Sequence, residues 1–350
     1  MNIKNFFVVG VMSGTSLDGI DIAYLRFTES NGVYNYEILQ AETFEYEPYW
    51  IENLKVAVGF DDDRLEELNK EYTEYLSVVI YEFIMKYQIA HIDLIASHGH
   101  TIKHRPDLGY TLQIGNLRGL KKYLPYPIVC DFRVQDVKFG GQGAPLVPMG
   151  DAMLFSEYTY CLNLGGFSNV SFDLDGKRLA YDLTPVNTVL NLYANKLDLP
   201  YDDKGINARY GVLDSDLFNA LNDLEFYKLS YPKSLGIEFV NENVLPLIDN
   251  FTLSVEDVLH TFCHHIAYQI VKGLPNASGK ILITGGGAYN DFLIELIAHY
   301  GPELEVILPD ALTIEFKEAL LFGLLGLLRY QGKVNVLCSV TGANCDHSSG

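Results

Sequence analysis

Three glycine turns in this sequence carry hydroxyl, amide or acidic neighbours at spacings that could hold an anion. The first is Val9-Gly10-Val11-Met12-Ser13-Gly14-Thr15-Ser16-Leu17-Asp18-Gly19 and the second Asn163-Leu164-Gly165-Gly166-Phe167-Ser168-Asn169. The third, Gly285-Gly286-Gly287, follows the apolar run Lys280 to Thr284. Glycine lets main-chain N–H groups approach an anion with no Cβ in the way, and Ser or Thr hydroxyls add donors. One such turn is most often only a turn. Two in matching positions of two halves, followed by a third glycine loop, form a stronger signal for phosphate binding. The Walker pattern is absent, and no further glycine follows Gly287 at the dinucleotide spacing, so neither common nucleotide fold is supported.

A second constellation is His98-x-His100 with His104. Imidazoles two apart after a strand can share one Zn²⁺, which makes a zinc-dependent hydrolase a rival reading. In barrels of that kind the pair follows the first strand, whereas here it comes about a hundred residues in. The five cysteines, Cys130, Cys161, Cys263, Cys338 and Cys345, form no C-x-x-C pair or zinc-ribbon spacing, and a reducing cytoplasm fits them best.

The elements that must position these residues follow from periodicity. Phe6 to Val11, Ile20 to Phe27 and Val33 to Leu39 alternate as strands and form a meander with an Asn31-Gly32 turn. Leu65, Leu68, Tyr72, Leu76, Val79 and Phe83 recur at spacings of three and four, which predicts a helix over about 62–86. Asp93 to Ala96 reads as a short buried strand delivering Ser97-His98-Gly99-His100 to a loop at its C-terminal end. Ile128 to Phe132 is another strand and leads to the glycine-rich stretch Gly140 to Pro145.

The pattern then restarts: Tyr160 to Asn163, the Gly165-Gly166 turn, and a return strand Asn169 to Phe172 repeat the N-terminal order. A helix spans 255–271, with Val258, Leu259, Phe262, Ile266 and Ile270 on one face, and Lys280 to Thr284 is a buried strand. Glu315 to Tyr330 reads as a long apolar helix, and the tail beyond Asn344 as polar and loose. This restart places a domain boundary near residue 150.

Chain length and composition bound the function. With 350 residues, 48% of them apolar and 20% charged, the chain is neither a disulfide-stapled miniature nor disordered. Its net charge of −20 repels nucleic acid phosphate and anionic membrane, and no apolar run is long enough to span a bilayer. An anionic substrate must therefore be held by local devices.

Phosphate hairpin, second phosphate hairpin, adenosine loop is the arrangement of the actin, hexokinase and heat-shock chaperone ATPase superfamily. Within it the chain closely resembles the anhydro-N-acetylmuramic acid kinases. The matching segments are Val11 to Asp21, Ser97-His98-Gly99, Gln113 to Asn116, Asp131-Phe132-Arg133, Gly140 to Pro148, Asn163 to Asn169, Pro232-Lys233-Ser234, Gly285 to Asn290, Glu318-Ala319 and Thr341-Gly342-Ala343. They run in the family's order over nearly the whole chain.

The resemblance implies an α/β fold of two actin-like, ribonuclease H-like domains, an N-terminal one, 1–150, joined by a C-terminal segment, 328–350, and a second, 151–327, each with a mixed sheet, and a cleft between them. It also implies a reaction: ATP phosphorylates O6 of 1,6-anhydro-N-acetylmuramic acid while water opens the anhydro bridge, a step of cell-wall peptidoglycan recycling. Asp182 matches the family's base and Glu318 a carboxylate near the substrate. Ser13, Gly14, Thr15, Ser16, Asp18, Gly19, Gly165, Gly166, Ser168, Asn169, Gly285, Gly286, Gly287 and Asn290 would meet ATP, with Asp18 as anchor for Mg²⁺. Ser97, His98, His100, Arg133 and Asn187 would meet the sugar, and a cytoplasmic homodimer with no nucleic acid or membrane partner is the expected setting. Against these roles, Asp182 at a strand end can simply cap a turn, Asp18 can cap its own hairpin, and Glu318 can be a helix N-terminal acid buried among apolar neighbours.

Three positions depart from the family pattern. Thr184-Pro185-Val186-Asn187 stands where many members have Gly-Pro-Gly-Asn, His100 where a Gln is common, and Val134 where an Arg helps to bind sugar. They leave another anhydro-sugar or amino sugar as an alternative substrate, beside the zinc hydrolase and a non-catalytic ATP-gated binding protein.

Overall fold

The computed structural model describes residues 3–14 and 17–350. The chain divides into two compact units: Met1–Ser156 with Phe316–Gly350, and Glu157–Glu315. The chain thus changes unit after Ser156 and again at Phe316, against the expected 150 and 328. The second change falls within the helix Ala311–Tyr330, where Phe316 leaves helical geometry (φ −108°, ψ 15°).

In the first unit, β1 (Lys4–Ser13), β2 (Gly19–Ser30) and β3 (Val33–Glu45) form the expected antiparallel meander. β4 (Leu94–Arg105) runs parallel to β1, with β5 (Tyr110–Ile114) antiparallel and β6 (Ile128–Cys130) parallel to it. The sheet order is β3-β2-β1-β4-β5, β6 also pairing with β4. In the second unit, β7 (Tyr160–Leu164), β8 (Phe167–Leu174) and β9 (Lys177–Pro185) are again an antiparallel meander, and β10 (Ser278–Thr284) and β11 (Glu303–Ile307) add in parallel on the other side of β7. The paths β3-β2-β1-β4-β6 and β9-β8-β7-β10-β11 share one order and one set of strand senses. This repeated mixed sheet is the two-domain actin-like, ribonuclease H-like fold.

Each sheet is half of a layered core. The helix Asp62–Lys86, capped by Asp61 accepting from the Arg64 N–H, buries Leu65, Leu68, Tyr72, Leu76, Val79 and Phe83 against β1, β2 and β4. The helix Val255–Lys272, capped by Ser254, buries Val258, Leu259, Phe262, Ile266 and Ile270 in the second unit. In the first unit the helix Ala311–Tyr330 lies directly on β1: a Cβ on Gly10 would stand 2.1 Å from the Ala319 carbonyl oxygen, so no larger residue fits without lifting the helix that carries Glu318.

Two expectations are corrected. Ser97-His98-Gly99-His100 do not form a loop; β4 continues through them, with Gly99 at φ +76° where the pairing with β1 slips. The C-terminal tail is not loose. Val336 and His347 pair as an antiparallel bridge, Ser349 exchanges hydrogen bonds with buried Asn335, and the Ser349 hydroxyl donates to the Phe132 carbonyl at 2.5 Å. Arg329 donates to the Gly350 carbonyl at 2.8 Å. The tail is polar, and Ser349 and the His347 main chain meet defined partners. Deleting residues 345–350 removes both Ser349 partners of the buried Asn335 side chain and leaves it the Leu325 carbonyl alone, and a loss of about 3 kcal/mol is expected. Chemical denaturation measures it; coincident midpoints for the deletion and the full chain would refute the anchoring.

Among the described residues no helix is long and apolar enough to cross a membrane.

Candidate functional site

Beside the C-terminal ends of β1 and β6, where β4 runs on past them, the first unit gathers Ser13, His98, His100 and Arg133. The Ser13 hydroxyl is buried, 2.8 Å from His100 Nδ1 and 2.6 Å from the Tyr46 hydroxyl, which in turn meets the Tyr72 hydroxyl at 2.5 Å. Burial pushes His100 down to about 4, so it is neutral at physiological pH. His98 is also buried. Its Nδ1 donates to the Gly99 carbonyl at 2.9 Å, leaving Nε2 to accept from Arg133 Nε at 2.8 Å. Burial, then the Arg133 charge, hold its pKa far below the usual range.

Both ring nitrogens of His98 are thus engaged within the protein, and His104 Nδ1 is 3.0 Å from the Thr111 hydroxyl. Among the described residues no three His, Cys, Asp or Glu side chains group as metal ligands. The zinc arrangement read from His98 and His100 finds no geometric support. Ser97 Oγ is buried with no hydrogen-bond partner among the described residues.

Arg133 is held as a fork: Nε on His98, Nη1 on the Gly143 carbonyl at 2.8 Å, and Nη2 without a protein acceptor among the described residues. Desolvation lowers its pKa to about 10, opposed by the nearby Glu318 and Asp136 charges, so it stays cationic. Asp136, wholly buried, fixes the other end of this arrangement. It accepts from the Gly143 N–H at 2.6 Å and the Thr341 hydroxyl at 2.7 Å, which shapes the glycine-rich stretch after Arg133. Sequence reasoning missed Asp136; its spacing from Gly143 and Thr341 carries no recognisable signal.

Glu318 follows the irregular Phe316. The expected burial among apolar neighbours is not observed, since the residue keeps an exposed surface while its neighbours Lys317 and Ala319 are buried. Surrounding protein nevertheless raises its pKa by desolvation, with Arg133 pulling down and Asp21 pushing up. Lys317 turns away to pair with buried Asp151 at 2.9 Å. Asp18 is exposed at the bend before β2, and Gly19 is packed beneath Phe44, whose carbonyl oxygen would be 2.4 Å from an added Cβ. Gly14 is half-buried; Thr15 and Ser16 lie outside the described residues.

In the second unit, Gly165-Gly166 and Gly285 to Gly287 end the neighbouring parallel strands β7 and β10, where Asn163 is opposite Thr284. The Gly165 and Gly166 carbonyls point inward, accepting from the N–H groups of Asn187, Val186 and Thr188 at the start of the helix Asn187–Ala194. The N–H groups of both turn glycines have no acceptor among the described residues, as do those of Gly285, Gly286 and Gly287. Gly285 has φ +83°, and a Cβ there would lie 2.6 Å from Asn163 Oδ1 and 2.9 Å from the Leu164 carbonyl; only glycine admits this contact between the loops. Two sets of free donors thus lie side by side, the chemistry an oxyanion needs. Asn187 Nδ2 reaches the Leu164 carbonyl at 3.4 Å between them.

Ser168 and Asn290, also named from sequence, serve the scaffold through their side chains. Ser168 Oγ is buried and bonds the Thr184 main chain, and half-buried Asn169 is opposite Asp182 in the β8–β9 ladder. Asn290 is buried and caps the helix Asp291–Tyr300 by accepting from the Leu293 N–H at 3.0 Å.

Asp182 is on β9 beside a bulge in the pairing with β8. The segment after Tyr231 clamps it: the Asp182 N–H donates to the Lys233 carbonyl at 3.0 Å, Oδ2 accepts from the Leu235 N–H at 2.8 Å, and Tyr231 stacks on Tyr181 at 5.1 Å. Oδ1 has no hydrogen-bond partner among the described residues. Burial raises the carboxyl pKa and the Leu235 N–H opposes it. A half-buried carboxylate with one oxygen tied and one free is equipped to accept a proton.

The sequence model of the family described as "Anhydro-N-acetylmuramic acid kinase" matches residues 6–350. A protein of that name from Shewanella sp. (strain ANA-3) is 32% identical over 360 residues, covering 97% of this chain and 96% of that one. One from a strain of Shewanella baltica is 32% identical over 364 residues, covering 98% and 97%. Among solved structures, (R)-2-hydroxyglutaryl-CoA dehydratase component A from Acidaminococcus fermentans is similar with a TM-score of 0.46 and 13% identity, over 92% of this chain and 97% of that one. The chain belongs to the anhydro-N-acetylmuramic acid kinase family, whose members are phosphotransferases with an alcohol group as acceptor.

Proposed function

We propose that this protein is an ATP-dependent kinase that converts 1,6-anhydro-N-acetylmuramic acid and water to N-acetylmuramic acid 6-phosphate, with Asp182 as general base. The observation that carries the reading is the Asp182 carboxylate itself: half-buried, fixed through Oδ2 and open at Oδ1, within a chain that matches the family over residues 6–350. Water is a weak nucleophile, so Asp182 takes its proton as it attacks the anomeric carbon. The C1–O6 bond breaks through oxocarbenium-like charge, and the released O6 attacks the γ-phosphorus, expelling ADP.

The remaining residues bind and neutralise. The outward N–H groups of Gly165-Gly166 and Gly285 to Gly287 suit phosphate and nucleotide, and Arg133 Nη2 suits the sugar's lactyl carboxylate. Glu318, whose pKa desolvation raises and the Arg133 charge pulls down, is the carboxylate that accompanies Arg133 in sugar binding. The exposed Asp18 carboxylate fits Mg²⁺ held through water, and the ion when bound neutralises phosphate charge. Peptidoglycan recycling in the cytoplasm by a homodimer is the setting this reaction suits.

Because the base acts ionised and burial raises its pKa, kcat/KM is lost as pH falls through a value above the ordinary 3.8 of an aspartate. An acidic limb of the pH–rate profile below about 4 would contradict the assignment. The substrate is tested by ADP release with 1,6-anhydro-N-acetylmuramic acid beside hexoses, other anhydro-sugars and amino sugars. Release with the anhydro-muramic sugar at least tenfold above the panel is expected; an equal or greater rate with another sugar reassigns the substrate.

A further inference from the structure

The core of the second unit contains a chain of polar side chains that the proposed chemistry does not use. Gln269 Nε2 donates to Asn222 Oδ1 at 2.7 Å, His265 Nδ1 lies 2.8 Å from the same oxygen, His265 Nε2 lies 2.9 Å from the Tyr227 hydroxyl, and that hydroxyl lies 3.0 Å from Thr184 Oγ1. His265 and Thr184 have no exposed surface, and Tyr227 and Gln269 are also buried.

The partners fix the direction of the bonds at Asn222 and His265. Asn222 Nδ2 donates to the Phe218 carbonyl, so Oδ1 is the acceptor for Gln269 and for a proton on His265 Nδ1. His265 Nε2 is then a lone pair, the Tyr227 hydroxyl donates to it, and the Tyr227 oxygen can accept from Thr184, whose hydroxyl also has the Pro185 carbonyl at 3.3 Å. Burial, pushing His265 down to about 3, keeps this one neutral tautomer.

Stability alone gives no reason for such a chain, because replacing buried partners by apolar groups of the same shape is often neutral. Its end point supplies one. Thr184 follows Asp182 by two residues on β9, and Ser168 pins its main chain from the other side. The neighbouring Phe226 reaches the opposite flank: the Lys233 ammonium lies 4.5 Å from the Phe226 ring centroid, 5.9 Å from that of Tyr227 and 3.4 Å from the Phe226 carbonyl. Lys233 is the residue whose carbonyl holds the Asp182 N–H. The pair Phe226-Tyr227 thus grips both the strand that carries Asp182 and the segment that clamps it.

We infer that Tyr227, oriented by His265, is a positioning residue for Asp182, fixing the strand end and the Lys233–Leu235 segment against each other. The inference rests on Asp182 being the base. Displacement of a reacting group by about 1 Å can cost up to a hundredfold in rate, so an effect on kcat is the expected signature.

The test compares wild type with Tyr227→Phe, His265→Leu and His265→Gln in sugar-dependent ADP release, with KM for ATP and thermal midpoints measured alongside. Wild-type turnover reports on the reaction itself, and the ratio of variant to wild type reports on the network. Tyr227→Phe and His265→Leu are expected to lower kcat roughly tenfold or more with KM for ATP within twofold. His265→Gln, which can still accept from Tyr227, should recover most of it. If Tyr227→Phe folds poorly, combining it with His265→Leu removes the stranded Nε2, while the Thr184 hydroxyl keeps the Pro185 carbonyl at 3.3 Å; stability should return while kcat stays low. A kcat within twofold of wild type in folded Tyr227→Phe, or in the double variant, overturns the inference.

Discussion

Asp182→Asn is expected to lower sugar-dependent turnover by roughly 10²–10⁴-fold while nucleotide binding survives. The substitution keeps the shape of the side chain, and the carboxamide oxygen can still accept from the Leu235 N–H that now bonds Oδ2 at 2.8 Å. The clamp of Lys233 on the main chain is untouched, because it uses the Asp182 N–H. Only the capacity of the free oxygen to take a proton is lost. The glycine N–H groups at Gly165-Gly166 and Gly285 to Gly287 do not depend on that carboxylate, so calorimetric ATP affinity should change by less than about threefold. Turnover within a few-fold of wild type would remove Asp182 from the mechanism.

The second large effect is expected at Asp136, through stability and site geometry together. Asp136→Ala leaves the buried Gly143 N–H without an acceptor and the Thr341 hydroxyl only the Leu337 carbonyl at 3.4 Å, and an unsatisfied buried donor costs about 1–3 kcal/mol. A loss of about 3 kcal/mol in unfolding free energy is therefore expected, read from chemical denaturation. The Gly143 carbonyl also fixes Arg133 Nη1, so displacement of this loop loosens the guanidinium fork. KM for the sugar should rise by roughly tenfold or more, with less change in KM for ATP. Asp136→Asn, which keeps one acceptor, should be milder on both counts. An Asp136→Ala protein with wild-type stability and sugar KM would refute the part given to this carboxylate.

How far the sequence disclosed this molecule depends on the range of the interaction. The meanders, the helix 62–86 and the restart at Tyr160 were legible because apolar periodicity and glycine turns are local signals, and the structure places β1 to β3, β7 and β8 where they pointed. β4 was read as ending at Ala96 because His98, Gly99 and His100 interrupt the apolar run. The strand continues because the imidazoles are satisfied by Arg133 and Ser13, distant in sequence. The tail misled for the same reason: Ser349 and His347 read as solvent-facing, yet their partners are Asn335, Phe132 and Val336.

For the candidate site, motif order named residues but not their surroundings. The series of glycine turns and the Asp182 position could be named from motif order, but the side chains of Ser13, Ser168 and Asn290 turn out to be bonded within the protein. Nothing in the spacing showed that Arg133 leans on His98, that Leu235 holds Asp182, or that His265 and Tyr227 meet Thr184. Each is a pairing of residues far apart in the chain, fixed by tertiary packing and invisible to periodicity.

The central claim is that water opens the anhydro bridge while the released O6 takes the phosphoryl group, in one coupled turnover. Reaction in ¹⁸O-water with ATP and 1,6-anhydro-N-acetylmuramic acid, quenched early and read by mass spectrometry, tests this most directly. The expected product carries the label at C1 of the sugar, none in the 6-phosphate, and forms one-for-one with ADP. Label in free inorganic phosphate with the anhydro-sugar unchanged, or a phosphorylated sugar that keeps its bridge, would contradict it.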